Sequence, residues 1–184
     1  MFVVLLRICV LTKTRKPEMK NTIVKELKKH IPQDTWDFLK AHKCMMVGGA
    51  LTSILTKKDI NDFDIYFKDR DSFVLSLMDI RGIKDNVDLG EYSEDVEINL
   101  QYLDSYEFHY LWHTEKSVTF RHKHTKAMYQ LIHQNFYNNV EEVFNDFDFT
   151  INMVGYDFEL DEVVVHPEVM LHLSQRVLVT NRSE

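Results

Sequence analysis

Apolar positions along this chain change period several times, and each change marks a different element. Thr22 to His30 reads as a basic helix, and Asp34 caps a second helix running to about Ala41. Lys43 to Val47 (KCMMV) is a short apolar run suited to a buried strand, closed by Gly48-Gly49. Ala50 to Lys58 follows as a short helix. From Asp62 to Phe67 the pattern alternates with period two, so Phe63, Ile65 and Phe67 face one side and Asp62, Asp64 and Tyr66 the other. Asp71 caps a helix to Met78, while Asp95 to Tyr102 fits strand or helix equally. A hairpin then pairs Ser117 to Phe120 with Ala127 to His133, and Asn139 caps a helix from Val140 to Phe144. Val163 to Val165 reads as strand and Val169 to Leu173 as helix. This order predicts an α/β (α+β) domain, a mixed β-sheet with helices packed mainly on one face.

Two segments carry the chemistry. A strand, a glycine pair and a helix in succession place unpaired amides and the positive end of a helix dipole where a triphosphate could sit. Twelve residues separate Gly49 from Asp62, and Asp64 follows two positions on. Side chains at i and i+2 of a strand project from Cα atoms roughly 6 to 7 Å apart, close enough to share one divalent ion or bracket two. Two such metals can activate an attacking hydroxyl and stabilise a leaving pyrophosphate without a covalent intermediate.

The VGGALTSILTKKDINDFDIYF segment resembles the signature of the DNA polymerase beta-like nucleotidyltransferase superfamily, in which an apolar residue, Gly and Gly or Ser precede an acidic pair spaced by one. A second stretch, Asp146-Phe147-Asp148-Phe149-Thr150-Ile151-Asn152, followed by Tyr156-Asp157 and His166-Pro167, is similar to a segment of tRNA CCA-adding enzymes and poly(A) polymerases. The two matches span about Cys44 to Pro167. The resemblance implies a nucleotidyltransferase fold and transfer of a nucleoside monophosphate from NTP to an acceptor hydroxyl, foremost an RNA (tRNA-like) 3′ end. Magnesium is the implied ion, with manganese as an alternative, and Asp62, Asp64 and Asp148 are the implied catalytic residues. Gly48, Gly49, Thr52, Ser53, Lys57, Lys58, Gln130 and Asn152 are candidates for the nucleotide site, with Arg121 a further source of charge for the phosphates.

Three departures from the pattern matter. Thr52-Ser53 stands where CCA-adding enzymes usually carry an Arg-Asp pair, so hydroxyls replace a charged phosphate contact. The family's third carboxylate has two alignments: the Ser117–His133 hairpin puts Gln130 in that place, whereas Asp95 to Leu103 offers Glu97 as metal ligand. Gln130 could coordinate through its carbonyl oxygen without charge. The base-reading motif of those enzymes is absent. Two other readings remain beside RNA-end transfer: a protein side-chain hydroxyl as acceptor, as in toxin-like nucleotidyltransferases, and a catalytically weak nucleotide-binding module.

Composition bounds the rest. With 184 residues, 45% of them hydrophobic and no repeat or linker, the chain reads as one domain over 19–184 after an extension of uncertain role, 1–18. A formal charge of −7 argues against broad nonspecific nucleic-acid binding. The apolar start, MFVVLLRICVL, is broken by Arg7 and far shorter than the roughly 20 residues of a bilayer span, so no membrane role is expected. Two cysteines suit a reducing cytoplasm, that of a host if a phage encodes the chain. A protein partner or homo-oligomer is left open. His109 and His113, at helical i, i+4 spacing, together with His122 and His124 suggest zinc on spacing alone; dispersed hydrogen-bonding histidines are the plainer reading. Arg121 to Lys126 reads as a basic hairpin tip, and Tyr106, Phe108, Tyr110 and Trp112 as core and cover rather than a base-stacking platform.

Overall fold

A computed structural model describes residues 17–80, 82, 105 and 107–181. Its centre is a seven-stranded mixed sheet: β1 (Met45–Val47), β2 (Asp62–Tyr66), β3 (Phe108–His113), β4 (Ser117–His122), β5 (Met128–Ile132), β6 (Val154–Asp157) and β7 (Glu162–Val165). The spatial order is β3-β4-β5-β2-β1-β6-β7, with β2 and β5 parallel and every other pair antiparallel. Six helices accompany it in the described residues: α1 (17–30), α2 (Gln33–Ala41), α3 (Gly49–Thr56), α4 (Arg70–Ile80), α5 (Val140–Phe144) and α6 (Val169–Gln175). A single 3₁₀ turn, Thr150–Asn152, precedes β6.

Period-two alternation gives the sheet two unlike faces. Phe63, Ile65, Tyr129, Leu131, Val118 and Phe120 are buried on one of them, where Phe63 stacks on Tyr129 with ring centroids 5.1 Å apart. Helices α1, α2 and α4 cover this apolar face. Ile23 and Leu27 of α1 are fully buried, Trp36 of α2 packs on Tyr156 and Phe158 (5.5 and 5.0 Å), and Phe73 of α4 meets Phe67 (5.4 Å). Asp62, Asp64 and Tyr66 of β2 project from the opposite face, as their alternation requires.

Over β1 and β6 that opposite face is covered by α5. Glycine at 155 makes the approach feasible, since a Cβ there would lie 2.2 Å from Cγ1 of Val140 and 3.2 Å from Cγ2 of Val47. The α5 cap is the expected one: the Asn139 side chain accepts from the Glu142 amide at 3.0 Å.

Several local expectations are corrected. The first helix begins at residue 17, with Pro17 suited to a first-turn position, rather than at Thr22. Pro32 occupies the α2 N-cap, and Asp34 sits inside the first turn accepting from the Thr35 amide at 2.6 Å. Asp69, not Asp71, caps α4 by accepting from the Ser72 amide at 2.6 Å. Phe108–His113, to which the sequence pattern assigns no element, is a strand on the sheet edge. The segment around Glu97 and Tyr106 itself lie outside the described residues, as do residues 1–16.

Candidate active site

Strand β1 runs into Gly48, whose φ of +111° and ψ of −138° turn the chain abruptly into α3. The Gly48 amide is bonded to the Val154 carbonyl at 2.9 Å, which ties the bend to β6. A Cβ at 48 would lie 3.0 Å from Cζ of Phe147 and 3.7 Å from Oδ2 of Asp64. The Asp64 carboxylate therefore lies against the diglycine bend, and the Phe147 ring packs over the same spot. Gly49 has open space where a side chain would be, and the first amides of α3 lack intrahelical carbonyls. The acidic pair and the head of a helix dipole thus share one small region.

Strand pairing decides what stands beside the acids. Asp64 is the register partner of Gln130 on β5, and Asp62 that of Met128. The Gln130 Nε2 donates to Asp62 Oδ2 at 2.9 Å. Gln130 thus stands beside the acidic pair, where the hairpin alignment puts it, while the alternative Glu97 lies outside the described residues. Burial, and secondly the charge of Asp62, pushes the Asp64 carboxyl up to about 6. A cation bound between the two would relieve both causes. The residues present fit a divalent ion in kind: two oxygen-rich carboxylates on one strand and the Gln130 Oε1 beside them. No group of three or more His, Cys, Asp or Glu side chains that could hold a metal occurs among the described residues, so Asp148 does not join Asp62 and Asp64 in one.

Other candidates are placed differently from expectation. Thr52 donates its hydroxyl to the Ile151 carbonyl at 2.8 Å, pinning α3 to the 3₁₀ turn that holds Asn152. Ser53 is half-buried one position further along α3. Lys57, in a left-handed conformation, and Lys58 stand past the far end of this eight-residue helix, about 12 Å of axis from the diglycine. Asp148 is exposed, and its carbonyl accepts from the Asn181 amide at 2.8 Å. Asp146 is engaged by the Tyr137 hydroxyl and by Asn135 Nδ2 at 3.3 Å. Thr150 and His172 are buried and joined at 2.6 Å, so this threonine anchors α6.

The zinc spacing does not survive. His109 and His113 lie on a strand, where i and i+4 are about 13 Å apart. At the hairpin tip, His122 is buried and accepts from the amides of His124 and Thr125, while Lys123 and Lys126 donate to the carbonyls of Ser105 and Lys123. Arg121 is exposed. Sequence reasoning missed Phe147 as the cover of Gly48, whose signal is its place directly before Asp148-Phe149-Thr150-Ile151-Asn152, and it read Trp112 among core and cover although this residue is 47% exposed.

Residues 18–176 match a family described as Gabija anti-defense 2 family protein. The chain is 31% identical over 152 residues to a protein named Gabija anti-defense 2 from Bacillus phage SPbetaL7, a match covering 83% of this chain and 32% of that relative. It thus spans about a third of the relative's length. Among solved structures, an apo CCA-adding enzyme aligns with a TM-score of 0.61 at 11% identity, over 88% of this chain and 36% of the other. The Thermotoga maritima CCA-adding enzyme complexed with tRNA aligns at 0.53, also at 11% identity and with the same two coverages. At these identities the likeness is one of fold, that of a nucleotidyltransferase head. No helix among the described residues is long and apolar enough to cross a membrane.

Proposed function

The chain belongs to the Gabija anti-defense 2 family, and from the placement of its acidic pair we propose that it is a metal-dependent nucleotidyltransferase. It moves a nucleoside monophosphate from NTP to an acceptor hydroxyl, foremost the 3′ hydroxyl of an RNA end. The observation that carries this reading is Asp64 Oδ2 lying 3.7 Å from where a Gly48 side chain would begin, with Asp62 two residues away on the same face. The fold shared with CCA-adding enzymes supports it.

Asp62 and Asp64 would hold magnesium or manganese, which supplies charge neutralisation for the triphosphate and for the oxygens gaining charge. The amides opening α3 receive phosphate oxygens, and Gly48 keeps the bend clear for them. The acceptor oxygen forms a bond to the α-phosphorus as the bond from that phosphorus to the β-phosphate bridge breaks, and pyrophosphate leaves. The hydroxyl proton passes to a carboxylate. Gln130 orients Asp62 through the 2.9 Å hydrogen bond without adding charge.

A second reading keeps the chemistry and changes the acceptor to a protein side-chain hydroxyl. It draws support from the anti-defense name of the relative. Incubation with Mg²⁺ and α-labelled NTP, with either total RNA or host lysate, separates the two by which macromolecule takes label. Asp62→Asn and Asp64→Asn should each abolish pyrophosphate release while the circular dichroism spectrum holds. Undiminished release in both variants would overturn the site assignment.

A further inference from the structure

We propose that the outward face of strands β3, β4 and β5 is an acceptor track, on which single-stranded RNA lays a base against Trp112 and a backbone phosphate against Arg121 on its way to the acidic pair. This rests on the nucleotidyltransferase reading and names the acceptor of the same site.

Sheet register lays the track out directly. Trp112 pairs with Thr119, Thr119 with Gln130, and Gln130 with Asp64. Those four side chains therefore form one row across four adjacent strands. His109, Arg121, Met128 and Asp62 form the row beside it. At about 4.8 Å per strand, Trp112 stands about 14 Å from Asp64. Roughly four nucleotides at a stacked rise of about 3.4 Å would span that distance, and fewer if the strand is extended.

A backbone irregularity is responsible for the tryptophan being there. Tyr110 pairs with Phe120, so an unbroken ladder would set Trp112 opposite Val118, on the apolar face. The register shifts between Tyr110 and Trp112, and Trp112 instead meets Thr119. One extra residue thus turns a large aromatic away from the core and onto the face of the acids, the kind of re-aiming that bulges perform beside functional sites. The indole is left 47% exposed on an edge strand. Packing gives no reason to move an indole from the core to solvent, whereas base stacking does.

Polar groups along the rows suit the same ligand. Arg121 is exposed and makes no ion pair among the described residues, leaving its guanidinium for a phosphate. Thr119 is fully buried between Trp112 and Gln130 in the row, and its hydroxyl has no hydrogen-bond partner. The row beside Trp112 carries His109 and Arg121 before it reaches Asp62.

The test uses the full chain, Mg²⁺ and a 5′-fluorescent single-stranded RNA with a free 3′ hydroxyl, read by anisotropy over a salt series. Trp112→Ala should weaken binding about tenfold, the loss of one stacked base, and Trp112→Phe should recover most of it. Arg121→Ala should weaken binding and flatten the slope of log affinity against log salt by about 0.7, one single-strand phosphate contact. In turnover, Trp112→Ala should raise the KM for RNA more than it lowers kcat, with the melting temperature held. Wild-type RNA affinity in both alanine variants overturns the track. So does label appearing on protein from a chain that binds no RNA. Pyrophosphate release undiminished in both Asp62→Asn and Asp64→Asn instead overturns the catalytic reading, while the anisotropy series still decides the track on its own.

Discussion

Replacing Gln130 by glutamate tests the arrangement of the acidic face most directly. In the wild type, Gln130 Nε2 donates to Asp62 Oδ2 at 2.9 Å, and Gln130 is the register partner of Asp64. Gln130→Glu removes that donor and adds a third negative charge. Two like charges relaxed to 4 Å repel by about 4 kcal/mol at an effective dielectric of 20. Keeping one proton on a carboxyl of ordinary pKa near 4.3 at pH 7.5 costs about as much, at 1.36 kcal/mol per unit. Protonation therefore caps the penalty, and about 2–4 kcal/mol is expected in the absence of metal. For a chain of this length each kcal/mol moves the melting temperature by about 2–4 °C, so the metal-free variant should melt about 5–15 °C lower. Mg²⁺ should reverse the order of effects: three carboxylates bind it on the order of tenfold more tightly than two, and the metal-induced rise in melting temperature should exceed that of the wild type. Gln130→Met is the control, removing the donor without adding charge. Differential scanning fluorimetry in EDTA and in a Mg²⁺ series reads all three proteins. If Gln130→Glu melts with the wild type in EDTA and gains no more from Mg²⁺, Gln130 does not face the acids and the geometry is wrong.

Two further outcomes follow from neighbouring features. Asp64 binds its proton more tightly when folded, near 6 against about 3.9 unfolded. The stabilisation this gives is full below pH 4 and is lost as pH rises through 6, up to about 3 kcal/mol in all. Asp64→Asn does not titrate, so its advantage in urea midpoint over the metal-free wild type should be small at pH 4, grow to pH 6.5 and then stay level; an advantage independent of pH would refute the burial of that carboxyl. Gly155→Ala would set a methyl 2.2 Å from Val140 Cγ1 and should cost about 1–3 kcal/mol, with part recovered in Gly155→Ala/Val140→Ala. A urea titration showing no loss for the single variant would mean that α5 does not rest on β6.

The acidic strand was legible because its alternation is clean from Asp62 to Phe67, and the hairpin because two apolar runs flank a polar turn. Strand β3 was hidden by the feature that gives it interest. A register shift at Tyr110–Trp112 breaks the period of two, so FHYLWH shows neither a strand nor a helix pattern. That Gln130 stands beside Asp64 could not be read locally, since it rests on β2 pairing with β5, a strand more than sixty residues away. Thr52 looked like a phosphate ligand because its actual partner, the Ile151 carbonyl, lies 99 residues away. The lysines after α3 read as neighbours of the glycines only until the helix is given its length. The caps of α2 and α4 were each misplaced by two residues: at α2 the single first-turn acid, Asp34, drew the assignment away from Pro32, and at α4 Asp69 and Asp71 compete.

The parallel pairing of β2 with β5 also bears on when the acidic pair gains its neighbours. Asp62 finds its register partner at Met128, and every strand on its other flank except β1 is encoded later still. During translation at about 5–20 residues per second, the aspartates leave the ribosome roughly 3–13 s before the strand that carries Gln130. A nascent chain in that interval displays two carboxylates with no glutamine to set Asp62 and a sheet edge with no neighbour. The neighbours of the acidic pair thus arrive late, and any truncation before Ile132 leaves the acids without Gln130 beside them.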